Sequence, residues 1–247
     1  MQRTIKIGAL GAALAIGGML AFSGQAMADS VTMTYDGMSP STAVRIQTKV
    51  TGSSQTINTT TGLFTFSNVS GPIDTYDDAK VVSFCIDLAD GISGAGPYTW
   101  EVQSLAGSPN PTAGPMEAQK ANDLARLLGG AITSGVLNDA RNLAASEKYA
   151  LQLAVWEVVS ETDNAAGYDV RTGDTKFTNV SHSILNQANV YLGEIATATA
   201  MTGLVGLTSG TTQDYVAQVV PIPAAAWLFG SALFGMAGVG YRRGRRV

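Results

Sequence analysis

Apolar and polar side chains alternate along the first half of the chain. The runs SVTMTY (30–35) and TAVRIQTKV (42–50) are rich in β-branched residues and change character at almost every step, the signature of strands. GLFTFSNV (62–69) puts Leu63, Thr65 and Ser67 on one face and Phe64, Phe66 and Asn68 on the other. KVVSFCIDL (80–88) and YTWEVQSL (98–105) continue the pattern, and Gly, Pro, Asn and Asp separate the runs. TGSSQTINTTTG (51–62) reads as a polar turn or edge segment of a composition that suits attached sugar.

The middle of the chain changes to a helical period. Pro115 is expected at a first helical position, with Ala121, Leu124, Ala125 and Leu128 on one face and Gly129-Gly130 ending the run. EKYALQLAVWEVVS (147–160) is apolar at most positions, which predicts a largely buried helix. At 3.6 residues per turn, Lys148, Gln152, Trp156 and Val159 fall on roughly one side. Ile184, Ala188, Tyr191 and Ile195 mark a third helix with Ser181 as its N-cap. TTQDYVAQVV (211–220) reads as a closing strand. The fold expected is α+β: a β-rich sandwich or barrel-like domain with a helical insertion, plus one C-terminal transmembrane helix.

The two ends carry their own signals. Arg3 and Lys6, the apolar stretch 7–22 and the small residues Ala26 and Ala28 of an A-x-A site make a secretory signal peptide, with Asp29 starting the mature chain. An N-terminal membrane anchor is the alternative. At the other end Pro221 and Pro223 precede an uncharged run, 224–241, just long enough to span a bilayer. Trp227 and Tyr241 sit near its ends, and Arg242, Arg243, Arg245 and Arg246 anchor the cytoplasmic side. Three segments follow: 1–28, 29–219 and 220–247.

The motif Val220, Pro221, Ile222, Pro223, Ala224, with span and arginines after it, resembles the VPLPA-type variant of the PEP-CTERM sorting signals, with Ile222 in place of leucine. The resemblance implies a Gram-negative bacterium and an exosortase as partner. It also implies a precursor held in the inner membrane, then delivery to the cell surface or to an extracellular, biofilm-type matrix. A permanent single-pass anchor is the other reading of the same tail.

Segment 29–219 holds all 19 acidic residues against nine lysines and arginines, a net of about −10. That balance argues against nucleic acid and anionic lipid headgroups as partners. One histidine, His182, and one cysteine, Cys85, leave no set of zinc ligands. Asp74, Asp77 and Asp78 lack the spacing of a calcium loop, and Asp87 and Asp90 are similarly weak. No Gly-x-Ser-x-Gly elbow occurs. No cofactor and no metal are expected. Tyr98, Trp100 and Trp156 suit core packing better than sugar stacking.

A lone cysteine in an exported chain cannot make an internal disulfide. It is an intermolecular bridge, an inert buried thiol, or a thiol with chemistry. On strand alternation Cys85 shares a face with Ser83 and Asp87, while Val82, Phe84, Ile86 and Leu88 share the apolar one. Gln152, set in an apolar helix, must have its amide satisfied by backbone groups or lose the amide nitrogen. A thiolate held against a glutamine carboxamide does the latter: it displaces ammonia and leaves an internal thioester, open to later attack by an amine or hydroxyl. Phe84 and Trp156 are candidates for walls that exclude water, and Asp87 or Lys148 for the group that manages protons.

Phe84-Cys85-Ile86-Asp87 and Leu151-Gln152-Leu153-Ala154-Val155-Trp156 resemble the aromatic-Cys and TQxAIW-like motifs of bacterial thioester domains in surface adhesins, with Leu151 for threonine and Val155 for isoleucine. The resemblance implies a β-rich fold with a helical subdomain and covalent adhesion to a surface or matrix target bearing an amine or hydroxyl. The alternatives are a non-covalent structural or polysaccharide-binding matrix protein and, third, a secreted hydrolase.

Overall fold

The computed structural model describes residues 30–50, 52–77, 79–109, 114–162 and 167–219. The signal peptide with Ala26 and Ala28, the motif residues Val220, Pro221, Ile222, Pro223 and Ala224, the apolar run after them, the four terminal arginines and Asp78 lie outside the described residues. Among the described residues no helix is long and apolar enough to cross a membrane.

The chain is mixed α/β and β-rich. Strands β1 (Ser30–Thr48), β2 (Gln55–Ser70), β3 (Val81–Cys85) and β4 (Tyr98–Ser104) come first. Helices α1 (Glu117–Ala131) and α2 (Ala145–Ser160), the short strand β5 (Lys176–Thr178) and helix α3 (His182–Glu194) follow. Strands β6 (Leu204–Thr208) and β7 (Tyr215–Gln218) close the fold. The helices are thus inserted between β4 and β6, as the change of period predicts.

All strand pairs are antiparallel, in the order β2-β3-β7-β6-β4-β1-β5, and β1 also pairs with β2. The sheet therefore returns on itself: the start of β1 pairs with β4 at Val31–Trp100 and, a little further along, with β2 at Tyr35–Phe66. Inside, Tyr215 meets Phe64 and Phe66 edge-on with centroids 5.0 Å apart, and Trp100 lies 5.8 Å from Tyr215. These edge-to-face contacts are the arrangement aromatic quadrupoles prefer.

Beyond Met38 the β1–β2 hairpin leaves the ring as a long ribbon, and β5 pairs with its other edge at Ile46–Phe177. The bend falls where the register shifts between Met38 and Ser41, opposite Gly62. A β-carbon on Gly62 would stand 2.1 Å from the Pro40 carbonyl oxygen, so only glycine permits this close approach. Of the polar segment, residues 52–62 lie in the ribbon's turn and the outer half of β2.

Two local expectations are corrected. Pro115 precedes α1 by two residues, with Met116 as the N-cap. The Gly129-Gly130 pair lies inside α1 instead of ending it. A β-carbon on Gly129 would meet the Thr199 carbonyl oxygen at 2.0 Å, so that glycine serves close approach of the chain after α3, where Met201 N–H donates to Ala125 O at 2.8 Å. Ser181 caps α3 as predicted, its Oγ accepting from Ile184 N–H.

Helix α2 is buried at every position from Ala150 to Ser160 and lies between α1, α3 and strands β1–β3. Carboxylates at its C-terminal end are held from outside. Glu157 Oε1 accepts from Asp169 N–H at 3.0 Å, and the Glu161 carboxylate accepts from Asp174 N–H and Thr175 N–H. Burial pushes the Glu157 carboxyl up to about 8 from 4.5, helped by the neighbouring Glu161 and Asp169 charges and opposed by the Asp169 N–H bond and Lys120. The unfolded chain releases this proton near pH 4.5 and the folded chain near pH 8. Between those values the folded form holds the extra proton, so rising pH lowers stability across that window and not above it. In Glu157→Gln the decline between pH 4.5 and about 8 is expected to disappear, as read by urea unfolding at a series of pH values. An unchanged pH profile would show that Glu157 ionises normally.

Candidate functional site

Cys85 is the last residue of β3. The β2–β3 ladder ends two residues earlier, at the Phe64–Ser83 pair, because β2 turns away into the ribbon. On its other edge β3 still runs beside β7, where Phe84 faces Val216 and Ile86 N–H donates to Asp214 O at 3.0 Å. Main-chain groups alternate sides along a strand, so the N–H and C=O of Cys85 point to the edge that β2 has vacated.

The Gln152 carboxamide occupies that edge. Cys85 N–H donates to Gln152 Oε1 at 2.9 Å, and Gln152 Nε2–H donates back to Cys85 O at 2.9 Å. The side-chain amide replaces the missing strand, and neither Cys85 nor Gln152 has any exposed surface. Residues 67 apart in sequence, singled out for their chemistry, meet at one point.

The thiol sits in a tight corner. Cys85 Sγ–H donates to Asp87 O at 2.7 Å, and Asp87 N–H donates to Sγ at 3.2 Å. Burial pushes the thiol well above its ordinary range, the negative charge of Asp87 adds to this, and the Trp156 indole and an Asp87 backbone bond pull the other way. Burial also raises the Asp87 carboxyl, against the backbone N–H groups of Ala89, Asp90 and Asp214. Ala89 N–H donates to Asp87 Oδ1 at 2.7 Å, whereas Oδ2 is buried with no hydrogen-bond partner among the described residues. The indole N–H of Trp156 is likewise buried without an acceptor at bonding distance, and its ring stacks on Phe177 at 6.4 Å.

Of the residues predicted around the thiol, Asp87 and Trp156 stand beside it. Phe84, fully buried, is the adjacent strand residue and alternates to the opposite face. Lys148 is turned elsewhere, its Nζ donating to Arg141 O at 2.7 Å. The contrast drawn from alternation, that Cys85 sits on a polar face, does not carry over: 81–88 is buried on both sides. Cys85 faces its cross-strand partner Tyr215 and the aromatic cluster. Sequence reasoning also missed the β7 side of the site. Asp214 is wholly buried and its charge raises the thiol further, and Gln213 Nε2 donates to Asp87 O at 3.4 Å. No local motif marks these two, and only the strand pairing Cys85–Tyr215 brings them in.

Among the described residues no group of three or more His, Cys, Asp or Glu forms a candidate metal centre. Asp74 instead accepts from Asn138, and Trp100 and Trp156 are buried in the core. No protein-family model, curated protein or solved structure matches the chain.

The paired amide bonds predict an asymmetry between two variants, neither of which can form a Cys–Gln link. Cys85→Ala keeps the main-chain partners of Gln152. Gln152→Leu strands a buried N–H and a buried C=O, each costing about 1–3 kcal/mol. Gln152→Leu is therefore expected to be the less stable by roughly 2–4 kcal/mol in denaturant unfolding. Equal stabilities would mean that the carboxamide does not cap the strand.

Proposed function

We propose that this chain is an exported protein of the cell surface or extracellular matrix that attaches covalently to a target through an internal thioester between Cys85 and Gln152. The supporting observation is the pair of 2.9 Å bonds that hold the Gln152 carboxamide on Cys85 in a site without solvent exposure. The Cys85 thiolate adds to Gln152 Cδ. A C–S bond forms, the C–N bond breaks, and ammonia leaves with the proton that the thiol gave up. Asp87 carries that proton, through the carboxyl whose Oδ2 is otherwise unpartnered. Cys85 N–H, which already donates to Oε1, donates to the oxygen that gains negative charge in the tetrahedral intermediate. A thiol and a carboxamide become a thioester and ammonia, with no oxidant and no cofactor.

An amine or hydroxyl of the target then attacks the acyl carbon. The C–S bond breaks, leaving an amide or ester at Gln152 and a free thiol at Cys85. Each chain reacts once, so this is attachment and not enzymatic turnover. Delivery rests on the sequence signals: export by the leader, a stay in the inner membrane through the C-terminal span, and exosortase sorting to the surface or matrix.

A second reading has its own support. The intact amide is satisfied on both its atoms, which is what a purely structural cap requires. The chain would then be a non-covalent matrix component.

Mass spectrometry of the purified native chain separates the two. Covalent attachment predicts a mass lower by one ammonia and uptake of methylamine at Gln152, with Cys85→Ala abolishing both. Because burial keeps the thiol protonated, the rate of ammonia loss after refolding is expected to rise about tenfold per pH unit until the thiol ionises. A full mass that persists at alkaline pH, with a titratable thiol, supports the structural cap instead.

A further inference from the structure

Trp156 leaves a polar group unanswered. Its indole N–H is buried and donates to nothing among the described residues, in a side chain with 1% exposure. A buried donor without a partner costs free energy and calls for a reason. Trp100 shows the ordinary solution in the same fold, its Nε1–H donating to Gln213 O at 3.0 Å. Trp156 stands one turn after Gln152 on α2, so both side chains project from the same side of the helix. The two 2.9 Å bonds of Gln152 turn that side to Cys85. From behind, Phe177 of β5 stacks on the indole ring, with centroids 6.4 Å apart and planes 14° apart. Phe177 is itself fixed in the ladder opposite Ile46. The atom that the indole favours is the sulfur: against burial, it eases ionisation of the Cys85 thiol.

Negative charge on that sulfur finds little other help. The carboxylates acting on it, Asp87 and Asp214, are themselves negative and oppose it. Tyr215, across the ladder, is held neutral by burial. Lys148 is turned to Arg141 O, and Cys85 closes a strand instead of opening a helix, so two common aids to a thiolate are missing. Two N–H dipoles favour the anion: the main chain of Asp87 and the Trp156 indole. A neutral thiol is a weak acceptor, and its proton is committed to Asp87 O. An ionised acceptor binds the same donor far more strongly.

We propose that the Trp156 indole N–H is the donor that stabilises the Cys85 sulfur as an anion, unpartnered while the thiol is neutral and bonded once the proton has left. This role rests on the thioester reading and goes beyond the water-excluding wall that the ring provides. The thiol proton passes to the Asp87 carboxylate, and no covalent bond to the indole forms or breaks. The same sulfur leaves as an anion when a nucleophile opens the ring, so the donor assists closure and capture alike.

The titration of the thiol tests the donor apart from the ring chemistry. A free Cys85 thiol is present before closure and again after methylamine has opened the ring. Thiolate absorbance can be followed in either state, with Cys85→Ser as the blank for tyrosine. Trp156→Phe keeps an aromatic ring against Phe177 and removes the donor. Benzothienylalanine at position 156 keeps the shape of the indole and removes only the N–H. Both chains are expected to reach a given thiolate fraction about one pH unit higher than the wild type. At matched pH below thiol ionisation, both are expected to lose ammonia and take up methylamine ~10-fold more slowly. Slower reactions with an unmoved thiol titration mean that the ring acts by packing alone, which overturns the donor. A benzothienyl chain that behaves as the wild type overturns it as well. Either result leaves the thioester standing. No ammonia loss in the wild type removes the thioester, and the thiol titration then decides the donor by itself.

Discussion

The contact between the Gln152 carboxamide and the main chain of Cys85 settles how α2 seats on the sheet. Hydrophobic burial has no direction, and a helix apolar on all sides gains nothing from one rotation over another. Helix α2 is such a helix, buried from Ala150 to Ser160. Its orientation must come from polar groups that accept only one partner. Gln152 bonds Cys85 at one end, and Glu157 and Glu161 bond the 169–175 segment at the other. Lys120 of α1 adds a bond to Val159 O at 2.9 Å. A one-residue turn of the helix would strand every one of these groups, each at about 1–3 kcal/mol.

That seating depends in turn on what β2 does. The strand serves two structures: the closed ring up to Phe64 and the outer ribbon before it, with the bend at Gly62 made possible by the missing side chain. It cannot follow β3 and β1 at once. The vacated edge of β3 exposes the polar groups of Cys85, which need partners once buried. The carboxamide supplies them. Ribbon and amide pair are two consequences of one divergence.

The alternation that marks β1, β2 and β4 was legible because each of these strands turns different faces to core and surroundings, whereas β3 is buried on both. The short β6, within MTGLVGLTSG, has too few residues for period 2 to stand out, so the insertion's return was visible only through the closing strand. Gly129-Gly130 looks like a helix stop, yet a packing contact with Thr199 overrides the local preference. At the site, Cys85 and Gln152 drew notice through their chemistry. Their actual pairing, main chain to side chain, follows from where a strand ends, which no pattern around either residue encodes. Lys148 lies one turn before Gln152, but the helix start directs it to Arg141 instead. Gln213 and Asp214 enter through register alone.

On the thioester reading, one physical cause acts in opposite directions. Burial raises the thiol well above its ordinary range, and the neighbouring Asp87 charge adds to this, so the thiol rests protonated and the nucleophile is scarce. Ring formation is slowed accordingly. The same dry surroundings keep water from the acyl carbon once the bond exists, and keep a protonated thiol from oxidants outside the cell. A site open enough to react quickly would also hydrolyse quickly. Slow, internal closure suits a group that forms once and must survive until it meets its target. It also favours placing the bond between a strand end and a helix, both rigid elements, because a barrier crossed rarely is crossed only if the two groups stay aligned while they wait.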